Sequence, residues 1–371
     1  MDSGISDEAY QEQILPHVSR TFALTIPQLP PALRIAVTNA YLLCRIADTI
    51  EDEPSLPPAA THAFLERFVA VVAGRGDPGL LAKDLELLLS AWTLPTERDL
   101  VSNVQRVVNV TAALSEPKQA AIQRCVELMC FGMPLFQSTA SLRGLSRSID
   151  LDDYCYYVAG VVGDMLTDLF CDYSAAIAQH RNELQELAVS FAQGLQMTNI
   201  LKDVWEDRSR GACWLPQEVF TRHGLDLAKL SPEPHDARFA AGMRELLGTA
   251  HAHLRNALQY ALLMPAKEVG IRRFCLWAIG LAVLTLRKIE QNPRFTAGAQ
   301  VKITRSAVAM TRTLVDLAVR NDWLLGRLFA LAARGLPLAS LGEVRRPQPP
   351  HRVVVEEEPE HGRRAYGSPA T

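Results

Sequence analysis

Two pairs of aspartates with the same spacing place the strongest constraint on how this chain folds. Asp48 and Asp52 lie in YLLCRIADTIED (41–52), and Asp203 and Asp207 lie in FAQGLQMTNILKDVWEDRSRGACWLP (191–216). Residues i and i+4 are about 40° apart around a helix, so each pair presents both carboxylates on one face. The remaining residues of both segments are largely apolar, and a carboxylate buried among them is costly unless a cation or hydrogen bonds compensate its charge. The two segments are therefore predicted to face each other across a shared cavity.

The residues beside these pairs favour a site for a diphosphate held through Mg²⁺. Arg45 precedes the first pair by one helical turn, and Arg208 and Arg210 follow the second pair. Carboxylate oxygens suit Mg²⁺, which also keeps waters and phosphate oxygens as ligands. A single pair of this kind is more often a solvated helix face, but two pairs in apolar surroundings favour a metal site. The chain contains no GxxxxGK[ST], HExxH or CxxC motif and no GxGxxG after a strand, so other nucleotide and zinc sites are not supported.

Helical periodicity dominates the chain, and strand signals are scarce. The pattern predicts one all-α domain with a central apolar cavity over 17–342, a short polar lead-in over 1–16, and a disordered tail over 343–371. Long helices are expected at 96–113, 191–207 and 301–333. Gly160 and Gly163 lie inside a predicted helix over 151–170, where glycine indicates either close helix packing or room for a bulky apolar ligand.

Composition narrows the classes of function. The chain is 48% hydrophobic with a net charge of −3, which gives no reason to expect nucleic-acid binding. The polar N-terminus does not resemble a secretory signal, and the longest apolar run, 274–286, is too short to cross a bilayer. We therefore expect a cytoplasmic protein, with peripheral membrane contact left open. The sequence leaves the oligomeric state open.

Four segments resemble motifs of the squalene/phytoene synthase family, the head-to-head prenyl transferases. They are HVSRTF (17–22), YLLCRIADTIED, DYCYYVAGVVG (153–163) and QMTNILKDVWEDRSRGACWLPQEVF (196–220). The resemblance covers about residues 14–335 and implies a single all-α isoprenoid synthase fold. It also implies Mg²⁺-dependent condensation of two prenyl diphosphates to a cyclopropyl intermediate with loss of diphosphate.

The resemblance also implies roles for individual residues. Asp48, Asp52, Asp203 and Asp207 match the aspartates that bind the Mg²⁺–diphosphate group, and Tyr154 matches a tyrosine that assists the first half-reaction by proton transfer. Lys202 stands where animal squalene synthases have arginine, which keeps the charge but loses bidentate phosphate contact. The matches to diphosphate, substrate and pocket residues are Ser19, Arg20, Phe22, Tyr41, Arg45, Val158, Val162, Gln196, Asn199 and Phe274.

The branch within the family is harder to assign. RRFCLWAIGLAVLTL (272–286) followed by VKITR (301–305) resembles the squalene branch, in which Lys302 and Arg305 would help bind NADPH. If they do not bind NADPH, Lys302 and Arg305 are ordinary solvated residues. The expected function is therefore squalene synthesis from two farnesyl diphosphates with reduction by NADPH. The alternatives are a phytoene synthase, a dehydrosqualene or hydroxysqualene synthase, and a non-catalytic isoprenoid-binding protein. Eukaryotic squalene synthases end in a membrane helix, whereas a charged tail is present here, so stable anchoring is not expected.

Overall fold

A computed structural model describes residues 4–19, 21–232, 236–342 and 344–347. Over these residues the regular structure is helical, apart from one isolated parallel bridge between Leu145 and Pro216. The predicted all-α class is therefore confirmed.

The helices follow one another through short connections. They are α1 (Asp7–Val18), α2 (Phe22–Thr25), α3 (Pro31–Glu51), α4 (Pro58–Val72), α5 (Pro78–Glu86), α6 (Pro95–Ser102), α7 (Val104–Ala113), α8 (Glu116–Gln137), α9 (Ser148–Cys155), α10 (Val161–Tyr173), α11 (Ala175–Ala178), α12 (Arg181–Lys202), α13 (Val204–Ser209), α14 (Gln217–Arg222), α15 (Ala237–Leu263), α16 (Val269–Gln291), α17 (Arg305–Ala318) and α18 (Asp322–Ala332). A π-helical turn, Tyr156–Gly160, joins α9 to α10, and short 3-10 turns occur at Ile26–Gln28, Leu227–Lys229 and Gly298–Val301.

Helix α12 lies at the centre of the bundle and packs along α15, α10 and α16. Glycines allow this close approach: a Cβ on Gly163 of α10 would lie 2.4 Å from the carbonyl oxygen of Ala188, and one on Gly194 would lie 3.1 Å from the backbone nitrogen of Leu254. A Cβ on Gly160 would meet the ring of Tyr156 at 2.8 Å. Of the two explanations for Gly160 and Gly163, the structure supports close packing.

Three helices predicted as continuous are interrupted. The segment 96–113 divides at Asn103, and 301–333 divides at Asn321, whose side chain accepts a hydrogen bond of 3.0 Å from the backbone N–H of Leu324. The third interruption falls at Asp203, between α12 and α13. Asparagine and aspartate end helices readily because their side chains compete for backbone hydrogen bonds, an effect that apolar periodicity does not show.

Described residues on both sides of the predicted domain, 17–342, pack on the helical body. Helix α1 occupies most of the expected polar lead-in, and it buries Tyr10, Ile14 and Leu15 against the core. At the other end, Arg345 lies 3.0 Å from Asp153, so the described residues 344–347 lie on the helical body. Residues 343 and 348–371 of the predicted tail lie outside the described residues, and disorder there stays a prediction.

Helix α16 is the one described helix long and apolar enough to cross a membrane by length and composition, with a mean hydropathy of 1.7 over its most apolar window. Two-thirds of that window (67%) is buried inside the protein, as in the core helix of a helical bundle. The expectation that this apolar run forms a buried helix agrees with its placement.

Arg272 of α16 joins the ends of three other helices. Its side chain is 2% exposed and donates hydrogen bonds to the carbonyl oxygens of Met264 (2.8 Å) and Val319 (2.9 Å), and to Asp322 at 2.7 Å. These acceptors belong to the end of α15 and to the turn between α17 and α18, where carbonyl groups lack partners within a helix. A buried guanidinium with its donors satisfied is therefore a fixed part of the framework.

Replacing Arg272 with Met is expected to lower the free energy of unfolding by about 3–5 kcal/mol, because buried carbonyl groups lose their donor. The neighbouring Arg273→Met variant is a matched control. Arg273 is partly exposed and lies 2.9 Å from Asp316, and its loss is expected to cost less than about 1 kcal/mol. Urea denaturation of both variants measures the difference, and equal losses would contradict the assignment.

Candidate active site

The first acidic motif lies on one face of α3, near its C-terminal end. Tyr41, Arg45, Asp48 and Asp52 recur along this face, as the sequence predicts. The guanidinium of Arg45 forms an ion pair with Glu97 of α6 and lies 3.8 Å from Asp48. The Tyr41 hydroxyl donates a 2.8 Å hydrogen bond to the carbonyl oxygen of Val18. The site face of α3 is thus positioned by contacts with the end of α1 and with α6.

The carboxylates of this motif are destabilised by their surroundings. Burial raises the pKa of Asp48 to about 7, an effect that Arg45 opposes and that Asp52 and Glu97 increase. Burial, followed by repulsion from Asp52 and Asp48, raises the pKa of Glu51 to about 8. The side chain of Asp48 nevertheless remains 40% exposed. Water can reach the carboxylate of Asp48, but the surrounding protein displaces bulk water from it. Asp48 therefore lies in a recess.

The second acidic motif lies at the junction of α12 and α13. The sequence predicts one continuous helix here, and this is wrong, since α12 ends at Lys202 and Asp203 joins the two helices. The backbone N–H of Asp207 still donates to the carbonyl oxygen of Asp203 at 2.9 Å, which keeps the two aspartates one turn apart. The Lys202 ammonium lies 3.0 Å from Asp203. The interruption therefore preserves the spacing of the pair.

Charges from each motif act on the other, which indicates that the two motifs lie near each other. Burial, together with the charges of Asp203, Glu206 and Asp52, raises the pKa of Asp207 to about 6. Arg210 opposes this rise, and the same guanidinium also opposes the rise in the pKa of Asp52. One arginine thus interacts with both motifs, although they are about 155 residues apart in the sequence.

The two arginines that follow the second motif have different roles. Arg208 donates to the carbonyl oxygens of Leu142 (3.1 Å), Leu227 (3.0 Å) and Leu230 (2.8 Å), so it holds the surrounding loops together. Arg210 is exposed and acts on the carboxylates. The sequence does not distinguish the two arginines, because their spacing does not show which of them binds the carbonyl oxygens of the loops.

Tyr154 lies between the two motifs. Its ring stacks on Trp214 with centroids 4.3 Å apart and meets Phe136 edge-on at 5.4 Å. Burial raises the pKa of Tyr154 well above its usual value, and Glu51, Asp207 and Asp52 raise it further. The hydroxyl is therefore held protonated beside both acidic groups.

Two features around Tyr154 were missed from the sequence. The first is the stacking partner Trp214, which lies in the loop after α13 and gives no signal beyond its residue type. The second is the π-helical turn Tyr156–Gly160, which begins two residues after Tyr154. Turns of this kind often occur at functional sites, because the extra residue shifts the direction of neighbouring side chains.

The structure places most of the remaining residues matched by the resemblance around the same bundle. Ser19 accepts a 3.1 Å hydrogen bond from the backbone N–H of Phe22, and the Phe22 ring lies 5.4 Å from that of Tyr41. On α12, Asn199 is exposed and Gln196 is partly buried. Val158 in the π-helical turn and Val162 on α10 are partly buried. Phe274 on α16 is buried, and its ring packs against Phe170. Arg20 lies outside the described residues.

The segment with the two predicted NADPH residues begins next to the second acidic motif. The backbone N–H of Gly298 donates a 2.8 Å hydrogen bond to Oε1 of Glu206, and a Cβ at this position would lie 3.0 Å from Oδ1 of Asp203. Lys302 and Arg305 follow within a few residues and are exposed. Their exposure is compatible with the predicted role, which stays a prediction.

The two motifs offer carboxylate oxygens, the ligand type that Mg²⁺ prefers. Within the described ranges, no three His, Cys, Asp or Glu side chains are close enough together to hold a metal ion without further ligands. Mg²⁺ is, however, commonly bound by one or two carboxylates together with substrate phosphates and water. Oε2 of Glu206 is buried without a hydrogen-bond partner in the described part of the chain, and the carboxylates of both motifs repel one another. These residues fit a cation shared with a diphosphate.

Curated relatives share the sequence across most of this region. The chain is 29% identical over 290 residues to the squalene synthase of Eremothecium gossypii, covering 76% of this chain and 62% of that protein. It is 30% identical over 316 residues to the squalene synthase of Nicotiana benthamiana, covering 82% of this chain and 70% of that protein. The chain thus spans between about three-fifths and seven-tenths of the length of these relatives.

Solved structures share the fold. TcSQS in complex with the ligand E5700 superposes with a TM-score of 0.70 at 24% identity, covering 88% of this chain and 91% of that chain. A dehydrosqualene synthase in complex with a ligand superposes with a TM-score of 0.60 at 21% identity, covering 85% and 96%. The sequence model of squalene/phytoene synthase matches residues 15–307, which is most of the chain. On this evidence the chain belongs to the squalene/phytoene synthase family.

Proposed function

We propose that this protein is a squalene synthase, which condenses two molecules of farnesyl diphosphate head to head and reduces the intermediate to squalene with NADPH. The observation that carries this proposal is the presence of two partly exposed acidic motifs whose carboxylates, Asp52 and Asp207, both interact with Arg210. The curated relatives named squalene synthase support the branch.

The acidic motifs are proposed to hold the diphosphate groups through Mg²⁺, with Asp48, Asp52, Asp203 and Asp207 as its protein ligands. Bound Mg²⁺ would neutralise the charge of the diphosphate and so make it a better leaving group. Arg45, Lys202 and Arg210 would bind further phosphate oxygens, because each lies beside a carboxylate of the site.

Tyr154 is proposed to hold and move a proton during loss of the first diphosphate. A tyrosine hydroxyl is protonated at neutral pH, and the acidic neighbours that raise the pKa of Tyr154 oppose its ionisation, so the hydroxyl is available to donate to a departing phosphate oxygen. The stacked ring of Trp214 and the edge of Phe136 restrict the ring of Tyr154. This restriction favours one direction for the hydroxyl and lowers the entropy lost in reaching the reactive geometry.

The apolar side chains beyond Tyr154 are proposed to protect carbocations from water. Val158 and Val162 follow the tyrosine along the π-helical turn and α10, and Gln196 and Asn199 precede the second motif on α12. Exclusion of water prevents capture of a cation as an alcohol, so the branch between squalene and hydroxysqualene depends on this wall.

Product analysis tests the proposal directly. Purified protein with farnesyl diphosphate and Mg²⁺ is expected to form squalene only when NADPH is present. Dehydrosqualene or hydroxysqualene formed irrespective of NADPH would assign a non-reducing branch. Phytoene formed from geranylgeranyl diphosphate, without turnover of farnesyl diphosphate, would assign the phytoene branch. Failure to release diphosphate from any prenyl chain length would identify a non-catalytic isoprenoid-binding protein.

Replacing either Asp48 or Asp203 with Asn is expected to lower kcat for diphosphate release at least about a hundredfold, because each change removes a charged ligand from the diphosphate site. Asp77→Asn is the matched control. Asp77 caps α5 through a 3.0 Å hydrogen bond from the backbone N–H of Leu80, and Asn caps helices equally well. Unchanged kcat in both site variants would contradict the assignment.

Metal binding is expected to release protons and to strengthen from pH 6 to pH 8. The raised pKa of Asp48, about 7, and of Glu51, about 8, leaves both carboxyls partly protonated at pH 7, and a cation binds the deprotonated form. Calorimetric titration of Mn²⁺ with inorganic pyrophosphate, in two buffers of different ionisation enthalpy, measures the number of protons released. The number is expected to fall in Asp48→Asn, and an unchanged number would count against a site at Asp48.

A double Lys302→Gln and Arg305→Gln variant is expected to raise the NADPH concentration required for half-maximal squalene formation about tenfold or more, while diphosphate release in the first half-reaction stays unchanged. Arg294→Gln, in the same exposed loop, is the control. If NADPH dependence were the same in all three proteins, Lys302 and Arg305 would be ordinary solvated residues.

A further inference from the structure

The α17–α18 hairpin, residues 305–332, exposes apolar side chains that the rest of the body does not cover. Leu317 in the last turn of α17 is 77% exposed, and Trp323 in the first turn of α18 is 70% exposed. Met310 and Leu314 continue the exposed apolar face along α17. A stripe of this kind on a helix that already buries its other face in the core marks an interaction surface.

The turn that presents these residues is held in a fixed position. The backbone N–H of Asn321 donates a 2.7 Å hydrogen bond to the carbonyl oxygen of Ala318, which makes the connection between the helices tight. Arg272 binds the carbonyl oxygen of Val319 from inside the protein. Leu317 and Trp323 therefore project from a rigid tip.

The hairpin and the residues directly after it carry more arginines than acidic residues, and Arg320 and Arg327 are the two near the tip. Residues 306–334 contain Arg312, Arg320, Arg327 and Arg334, all exposed, against only two acidic residues, Asp316 and Asp322. Both acidic groups are paired with arginines of α16 beneath the hairpin: Asp316 with Arg273 at 2.9 Å and Asp322 with Arg272 at 2.7 Å. Since these pairs neutralise the acids, the outward charge of the hairpin comes from the exposed arginines.

The arginines lie beside the apolar side chains. Arg320 lies in the turn between Leu317 and Trp323, and the guanidinium of Arg327 stacks over the Trp323 ring at 5.4 Å. Tryptophan with arginine is typical of helices at the membrane interface, where the ring inserts below the headgroups and the cation binds phosphate. Because the arginines beside the apolar side chains are positively charged, an anionic lipid surface fits this face better than an apolar groove of a partner protein does.

We propose that the tip of the α17–α18 hairpin docks this protein on an anionic lipid bilayer, with Leu317 and Trp323 inserted and with Arg320 and Arg327 bound to lipid phosphates. This inference concerns binding in the absence of substrate, so it stands or falls independently of the proposed function. Helix α17 begins a few residues after Gly298, which contacts the second acidic motif. The tip lies at the opposite end of α17, so this helix runs from the neighbourhood of the second acidic motif to the docked face.

A second exposed apolar patch provides the matched control. Leu87 and Trp92, between α5 and α6, are 78% and 82% exposed, as much as the residues of the tip. The hydroxyl of Thr93 and the backbone N–H of Ser90 donate to Glu53, so this loop too is fixed. Residues 87–98, all of them described by the structure, contain one arginine, Arg98, and it donates to the carbonyl oxygen of Leu89.

Flotation with vesicles tests the proposal on the full chain. Wild-type protein is expected to float with vesicles of 30% phosphatidylglycerol in phosphatidylcholine and not with pure phosphatidylcholine, and 0.5 M NaCl is expected to weaken the binding. Arg320→Gln with Arg327→Gln is expected to lower the partition coefficient about tenfold or more, given about fivefold per arginine near an anionic surface. Leu317→Ser with Trp323→Ser is expected to lower it similarly, whereas Leu87→Ser with Trp92→Ser should leave it unchanged.

Several results would overturn the proposal. These are no binding of wild-type protein, equal binding to neutral vesicles, or an equal loss of binding in the Leu87 and Trp92 variant. A dimer that dissociates in the Leu317 and Trp323 variant, without vesicle binding, would assign the face to a second copy of the chain. Vesicle binding that appears only when Glu356, Glu357 and Glu358 are replaced by Gln would identify the chain's own acidic segment as the occupant of this face in the wild-type protein.

Discussion

Repulsion among carboxylates held within a mainly apolar helical bundle is the constraint on which the candidate active site depends. Asp48, Glu51 and Asp207 all have pKa values raised by burial and by acidic neighbours, so the protein stabilises their charged forms poorly by itself. Arg45 and Arg210 offset only part of this repulsion. The folded state therefore favours binding of a cation, and in the proposed function the stability given up in placing these acids together would become affinity for a metal–diphosphate group.

The packing of the bundle makes this arrangement rigid. Helix α12, which leads into the second motif, is in close contact with α10 and α15, where Gly163 and Gly194 allow the backbones to approach. Arg272 joins the ends of α15 and α17 to the start of α18. Because the acidic residues lie on helices fixed in this way, their separation cannot relax when they repel one another. A rigid, charged recess is the form of pre-organisation that stabilises a leaving diphosphate.

Much of this arrangement could be predicted from the sequence, because helical periodicity and i, i+4 spacing are local properties. The all-α class and the pairing of Asp48 with Asp52 follow from such patterns. The interruption at Asp203, the π-helical turn after Tyr154 and the contact of Tyr154 with Trp214 could not be predicted, since each depends on tertiary contacts. The separate roles of Arg208 and Arg210 also depend on which loop carbonyls lie nearby.

A crystal structure of the protein soaked with Mn²⁺ and farnesyl thiodiphosphate, with data collected at the manganese absorption edge, tests the central claim most directly. We predict anomalous peaks beside both Asp48–Asp52 and Asp203–Asp207, bridged by one diphosphate group that also contacts Arg210. Peaks at only one motif, or a diphosphate bound away from both, would contradict a shared site between α3 and the α12–α13 junction.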